Sequence, residues 1–298
     1  MSLLFIFIDG IGVGENHSLN PLADKELKSF SFFTGKNGFH RECEEVIGDT
    51  KLFKTIDANL GVKGLPQSGT GQVTLFSGIN ASEMIGKHFG PYPYSSTKPL
   101  LVKNSLFKKV IELGKEPHFL NAYPDIFFKK SEIRDRWTST TLMVRSAGIR
   151  LNKIEDIKEG KAITAEIIQN AWRDMLGLDV PEIKPVEASK RALNALRNYD
   201  LVLYEYYLTD KAGHEMNREK ADIVLRRLDE FLMGIIKKIK PSDTLVITSD
   251  HGNLEDLTTK THTRNPVPLF VKGNTEPFKN VKSITDVTPA ILEVLIDD

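Results

Sequence analysis

The sequence predicts an α/β fold, with a mostly parallel central sheet and helices on both of its faces. Two observations lead there. Continuous apolar runs at 3–8, 117–120, 201–204, 244–248 and 267–271 read as strands buried on both faces, because a strand with one wet face would alternate apolar and polar residues. Helical patterns at 71–76, 105–113, 164–175, 187–197, 218–238 and 286–296 separate most of them, and strands that alternate with helices build parallel sheets. In 218–238, Ile223, Leu225, Leu228, Phe231, Leu232 and Ile235 fall near helical spacing and mark one core-facing stripe.

The 298 residues suffice for one large core, so a single domain is expected over 1–298. The stretch at about 128–185 is richer in charge and broken by Pro181 and Pro185; it reads as a small insertion or lid, the alternative being a solvated α/β connection. Lys plus Arg equals Asp plus Glu at 40 each, which argues against a nucleic-acid-gripping or anionic-membrane surface. Cys43 is the only cysteine, so neither an internal disulfide nor a thiolate metal cluster is available. The apolar N-terminal run lacks a basic leader and is too short for a signal-peptide core with a cleavage site. No stretch reaches the roughly 20 apolar residues of a membrane span. A cytoplasmic setting is expected.

Unusual polar residues sit at the strand ends. Asp9 follows the first strand; Asp210 and His214 follow the strand at 201–204; Asp250 and His251 follow 244–248; His262 precedes 267–271. Open α/β sheets gather ligands at the carboxyl ends of their strands. Three carboxylates and three imidazoles are donors for zinc, manganese or iron, and carboxylates gathered in one place repel each other unless cations offset them. Taken alone, Asp-His-Gly reads as a turn and Asp-x-x-Gly-His as a helix cap. Their co-occurrence in chain order is what points to a binuclear site.

The segment from Gly64 to Gly78 contains Ser68-Gly69-Thr70-Gly71 and forms a tight turn into a helix. A hydroxyl at a helix start lies where free amides and the helix dipole favour phosphate. Ser68 or Thr70 could supply it, or either could serve only as an N-cap.

Together these segments resemble the alkaline phosphatase superfamily, most closely its branch of cofactor-independent phosphoglycerate mutase and phosphopentomutase. FIDGIGVG at 7–14, DANLGVKGLPQSGTGQ at 57–72, DKAGH at 210–214, SDHGN at 249–253 and THTRNPVPLFV at 261–271 carry the likeness. The resemblance implies an alkaline phosphatase-like three-layer core. It also implies one metal on Asp210, His214 and His262 and a second on Asp9, Asp250 and His251, with Ser68 as reactive ligand and nucleophile. The superfamily's glycine ten positions beyond the nucleophile is matched by Gly78, which selects Ser68 over Thr70. The implied chemistry is in-line attack through a phosphoserine, aided by two divalent ions, zinc or manganese, on a small-molecule phosphoester.

The mutases of this branch carry a large cap between nucleophile and later ligands. Here 141 residues separate Ser68 from Asp210, and some must build the core. A mutase needs closure over its intermediate, so a phosphatase or phosphodiesterase is expected, with a phosphosugar or phosphoglycerate mutase as the alternative. A sulfatase-like hydrolase is disfavoured because Ser68-Gly69-Thr70-Gly71-Gln72 lacks the C/S-x-P-x-R pattern. A non-catalytic metal-binding module is disfavoured by the complete ligand set. Candidate substrate contacts are Lys211, His88 and Arg264, with Tyr92 and Tyr94. The hydroxyls of 138–141 either cap a helix or line the site.

Overall fold

A computed structural model describes residues 2–296; of the domain expected over 1–298, residues 1, 297 and 298 lie outside the described residues. Seven strands form one sheet: β1 (Leu3–Ile8), β2 (Val46–Ile47), β3 (Lys51–Ile56), β4 (Pro117–Phe119), β5 (Leu201–Tyr206), β6 (Thr244–Thr248) and β7 (Val267–Lys272). Their order is β2-β3-β7-β6-β1-β5-β4. β4, β5, β1 and β6 are parallel, as the continuous apolar runs predict. β7 runs against both β6 and β3, so β3 points the same way as β1. The carboxyl ends of β1, β3, β5 and β6 therefore share one edge with the amino end of β7.

Alternate residues of each strand face opposite layers. Leu4, Ile6 and Ile8 join Val202 and Tyr204 beneath the helices Pro185–Ala195 and Arg218–Ile236. Leu3, Phe5 and Phe7 face the helices Ser68–Ser77, Leu106–Glu112 and Val287–Ile296. The result is the three-layer arrangement expected. Helix ends follow local chemistry: Asn217 and Ser105 accept the amides of Lys220 and Lys108, and Pro185 occupies a first-turn position where no amide is needed.

The expected helix at 164–175 is corrected to Asn170–Asp174. Its apolar residues serve two cores: Ile163 and Ile167 pack under the Arg218–Ile236 layer, whereas Trp172 joins Ile157, Ala162 and Val180 in a small separate cluster. Ile167 and Gln169 turn through φ of 72° and 69° to make that switch. The segment at 128–185 also contains the helices Ser139–Ser146 and Ile154–Lys158, and Met143 and Val144 belong to the main core. No helix among the described residues is long and apolar enough to cross a membrane.

The sequence reading missed β2, β3 and the helix Lys28–Thr34. β3 and that helix meet at Phe270 of β7, whose ring lies 4.9 Å from Phe33, 5.1 Å from Phe53 and 5.3 Å from Phe30 between centroids. Phe270→Ala is expected to cost about 3–5 kcal/mol in urea unfolding; a loss under about 1 kcal/mol would show that this cluster does not anchor the antiparallel edge. At the other edge, His118 of β4 stacks on Tyr199 at 4.3 Å, and burial pushes its imidazole down to about 4 from 6.5. Below 6.5 the unfolded chain binds a proton that folded His118 refuses, so stability falls as pH drops from 6.5 to 4. In His118→Phe, which keeps the stacking, the stability lost over that interval should shrink; an unaltered pH profile would contradict the assignment.

Candidate metal centre

Four loops reach the common edge, and each carries part of the cluster. Asp9 leaves β1, its amide bonded to Tyr206 O at 3.0 Å. Gly10 then turns at φ 72°, where a Cβ would lie 2.7 Å from Asp210 Cβ, so only glycine allows the two loops to meet. β5 feeds the helix Leu208–His214, which sets Asp210 and His214 one turn apart on the same side. β6 delivers Asp250 and His251. The reversed β7 brings His262 to the same place from the opposite direction.

Ser68 arrives through β3. The loop after Ile56 is shaped by Asp57, whose carboxylate accepts the amides of Asn59 and Leu60 at 3.1 and 2.8 Å. Ser68 opens the fully buried helix Ser68–Ser77, and its Oγ lies 2.9 Å from His251 Nε2. Thr70 points elsewhere: its hydroxyl bonds to Gln67 O at 3.3 Å and accepts the Phe89 amide at 3.2 Å. Geometry thus places Ser68, not Thr70, in the cluster.

The ligand atoms converge. His251 Nε2 lies 3.3 Å from Asp9 Oδ1 and 3.4 Å from Asp250 Oδ2. His262 Nε2 lies 3.4 Å from Asp210 Oδ1, 3.1 Å from His214 Nε2, and His214 Nε2 is 3.3 Å from Asp210 Oδ2. Two sets close to within 4.8 Å, Asp210 with His251 and His262, and Asp9 with Asp250 and His251. Each imidazole has its Nδ1 against a backbone carbonyl: Pro66 O at 2.7 Å for His262, Lys260 O at 2.6 Å for His214 and Gly252 O at 3.4 Å for His251. A carbonyl only accepts, so Nδ1 is the protonated nitrogen of each neutral ring, and a cation that displaced the protons shared with Asp210 would meet an Nε2 lone pair from each, the arrangement that metal-bound histidines use.

The electrostatics demand a cation. Burial, then the charges of Asp250, Asp210 and Glu205, push the Asp9 carboxyl well above its usual range. Burial and Asp210 push Asp250 up to about 7. Burial also raises Asp210, but hydrogen bonds from His214 and His262 outweigh it and hold that carboxyl low. The same contact lifts His214 to about 9, while burial and His262 press His251 down to about 3. Asp9 Oδ1 and Asp250 Oδ2 are buried without a hydrogen-bond partner, an expensive state for carboxylate oxygens. Orphaned oxygens beside inward imidazole nitrogens fit divalent metal ions.

Several supporting residues escaped the sequence reading. Gln72, one turn beyond Ser68, donates to Asp9 Oδ2 at 3.1 Å, and Asn253 donates to Asp210 Oδ1 at 2.7 Å. Fully buried Glu255 accepts the amides of Gly12 and Asn253 at 2.8 Å each, the Asn265 amide nitrogen at 2.9 Å and the Thr263 hydroxyl. One carboxylate thereby ties together the loops that carry Asp9, Asp250, His251 and His262. Glu205 of β5, pushed up to about 7 by burial, adds a further acid near Asp9. Thr140 donates to it at 2.7 Å while Thr138 caps the helix Ser139–Ser146, the first of the two roles its sequence allowed. A run of threonines signals a cap; its partner 65 residues away is invisible in sequence.

The substrate-contact candidates are held in different ways. Lys211 is exposed beside Asp210 and makes no side-chain hydrogen bond or ion pair among the described residues. His88 donates from Nε2 to Val62 O at 3.3 Å and accepts from Ser82 at Nδ1; Arg264 Nε donates to Gly64 O at 3.0 Å. Both brace the loop that leads to Ser68. Tyr94 packs on Phe89, and the Arg136 guanidinium sits 5.1 Å above the Tyr92 ring.

A carboxylate–imidazole cluster at the carboxyl edge of a three-layer sheet offers the donors that a metal site needs. Residues 163–297, which hold Asp210, His214, Asp250, His251 and His262, match the family model of the metalloenzyme superfamily. A 2,3-bisphosphoglycerate-independent phosphoglycerate mutase of Ehrlichia ruminantium is 34% identical over 127 residues, 39% of this chain and 25% of that protein. The chain thus spans about a quarter of that relative's length. Across 100% of this chain and 97% of the other, the PH0037 protein of Pyrococcus horikoshii superposes with a TM-score of 0.59 at 13% identity. The alkaline phosphatase of the Antarctic bacterium TAB5 does so with 0.52 at 11%, covering 99% and 97%; both are likenesses of fold. The later part of the chain is thus similar to the metalloenzyme superfamily, and its fold is like that of alkaline phosphatase.

Glu255→Ala should lower the affinity for Mn²⁺ or Zn²⁺ about 10–100-fold, the usual effect of removing a support behind metal ligands. Calorimetric metal titration reads it; wild-type affinity would show that the loops hold without the clamp.

Proposed function

We propose that the protein hydrolyses a small-molecule phosphoester, with Ser68 as nucleophile and two divalent cations, zinc or manganese. Asp210, His214 and His262 would hold one cation; Asp9, Asp250 and His251, with Ser68, the other. The observation that carries the reading is Ser68 Oγ, 2.9 Å from His251 Nε2 at a helix start, facing the orphaned oxygens of Asp9 and Asp250. Bound cations supply neutralisation of phosphoryl oxygens and a lowered serine pKa. The first-turn amides of the helix Ser68–Ser77 add donors for the transferred group. Ser68 Oγ forms its bond to phosphorus as the bond to the leaving oxygen breaks, and water then cleaves the phosphoserine.

Water access supports hydrolysis over intramolecular transfer. The His214 side chain is 44% exposed, and much of the chain between Ser68 and Asp210 is committed to β4, β5 and helices packed in the cores. Identity to a named phosphoglycerate mutase over 127 residues supports the second reading, a mutase.

Phosphorus NMR on the metal-loaded protein separates the two. With p-nitrophenyl phosphate or a phosphoglycerate, inorganic phosphate should accumulate, and Ser68→Ala should cut turnover at least about a thousandfold with metal content unchanged. Interconversion of phosphoglycerates without phosphate release would sink the hydrolase reading in favour of the mutase. Full turnover by Ser68→Ala would remove Ser68 from the chemistry.

A further inference from the structure

The sheet edge opposite the metal cluster holds another polar cavity, of about 560 Å³, a size typical of small-molecule sites. It lies where β4 and β5 begin, about 20 Å from their far ends by the length of β5. Arg191 and Asn194 of the helix Pro185–Ala195 form one wall, and the stacked pair His118 and Tyr199 another.

The arginines of this cavity are partnered in the wrong order. Arg150, whose side chain is 66% exposed, holds Asp156 through two bonds of 2.7 Å. Arg191 is only 9% exposed, yet it forms no ion pair among the described residues. Its Nη1 donates to Ile157 O at 2.8 Å and Ala162 O at 2.9 Å, while Nε and Nη2 make no hydrogen bond among the described residues. A buried guanidinium without a paired anion is costly, and an exposed one needs none. The two carbonyls account for one nitrogen of the fork, and the nearby Glu187 carboxylate is paired with Lys190 instead.

The rest of the wall shows the same deficit. His118 Nε2 is buried without a hydrogen-bond partner. Asp156 is already saturated by Arg150 and the Lys153 amide at 2.8 Å, and Glu116 is exposed at the rim. Lys161 adds a cation whose partner, Glu159, is itself exposed, a pair that holds it weakly.

We propose that this cavity binds a small oxyanion, a phosphate or a carboxylate, with Arg191 as its principal ligand and Lys161 as a further donor. A planar fork with two free nitrogens matches the paired oxygens of either group.

Calorimetric titration of the metal-loaded protein with inorganic phosphate, and separately with malonate, tests this and tells the two chemistries apart. Phosphate should show a binding event beyond the one at the metal cluster; malonate matching it would mark the site as a carboxylate site. Arg191→Gln keeps donors for the two carbonyls but loses the charge; it should weaken that event at least about tenfold and leave turnover unchanged. Asn194→Asp sets a carboxylate one turn from Arg191 and should abolish the event while raising the unfolding midpoint in anion-free buffer. If Arg191→Gln fails to fold, the Asn194→Asp result decides alone. Anion binding equal to wild type in the folded variants, or no second event in the wild type, would overturn the proposal and leave Arg191 as a tie for the turn at 157–162.

Discussion

Repulsion among Asp9, Asp210 and Asp250 governs the design of this molecule. Three carboxylates crowd into one site where Asp9 and Asp250 are buried, and two of their oxygens have no donor. Protons satisfy this crowd only by leaving some of the acids neutral, as the raised Asp9 and Asp250 carboxyls show. The surrounding structure resists the tendency of these loops to separate. Gly10 permits close approach, Glu255 binds three loops to one another, and Gln72 and Asn253 each fix one carboxylate by a single bond. Only one of the strands that supply the cluster, β7, runs backward, and that reversal adds His262 without a long return through solvent.

The legible parts of the sequence were those with one dominant cause. β1 and β6 are buried on both faces, so their apolar runs gave the observed bounds of 3–8 and 244–248. β3 stayed hidden because Lys51, Lys54 and Thr55 break its apolar run where the strand is only half covered. The helix at 164–175 failed for the opposite reason: its apolar residues are real core residues, but of two different cores.

The cluster itself was readable because its residue types are unusual at strand ends. Asp9, Ser68, Asp210, His214, Asp250, His251 and His262 all meet in the structure. Their supports were not readable. Glu255 sits two residues past Asn253 in a segment already singled out, yet nothing in its spacing names Gly12 or Asn265 as partners. Glu205 fell just past the strand expected at 201–204, and nothing near it in sequence names Thr140 and Tyr123 as its partners. Long-range pairing is a property of the assembled sheet, and a single sequence carries little trace of it.

The bond from His262 Nδ1 to Pro66 O joins the loop before β7 to the loop before Ser68. Arg264 adds a second tie to the same loop at Gly64. The ten or so residues after β3 therefore lose their freedom when the sheet closes, long before any substrate arrives. Ordering a loop of that length during each reaction cycle would cost roughly 1–2 kcal/mol per residue fixed. Here that entropy is surrendered once, at folding, so the serine meets its ligand in a position that thermal motion of the loop does not blur.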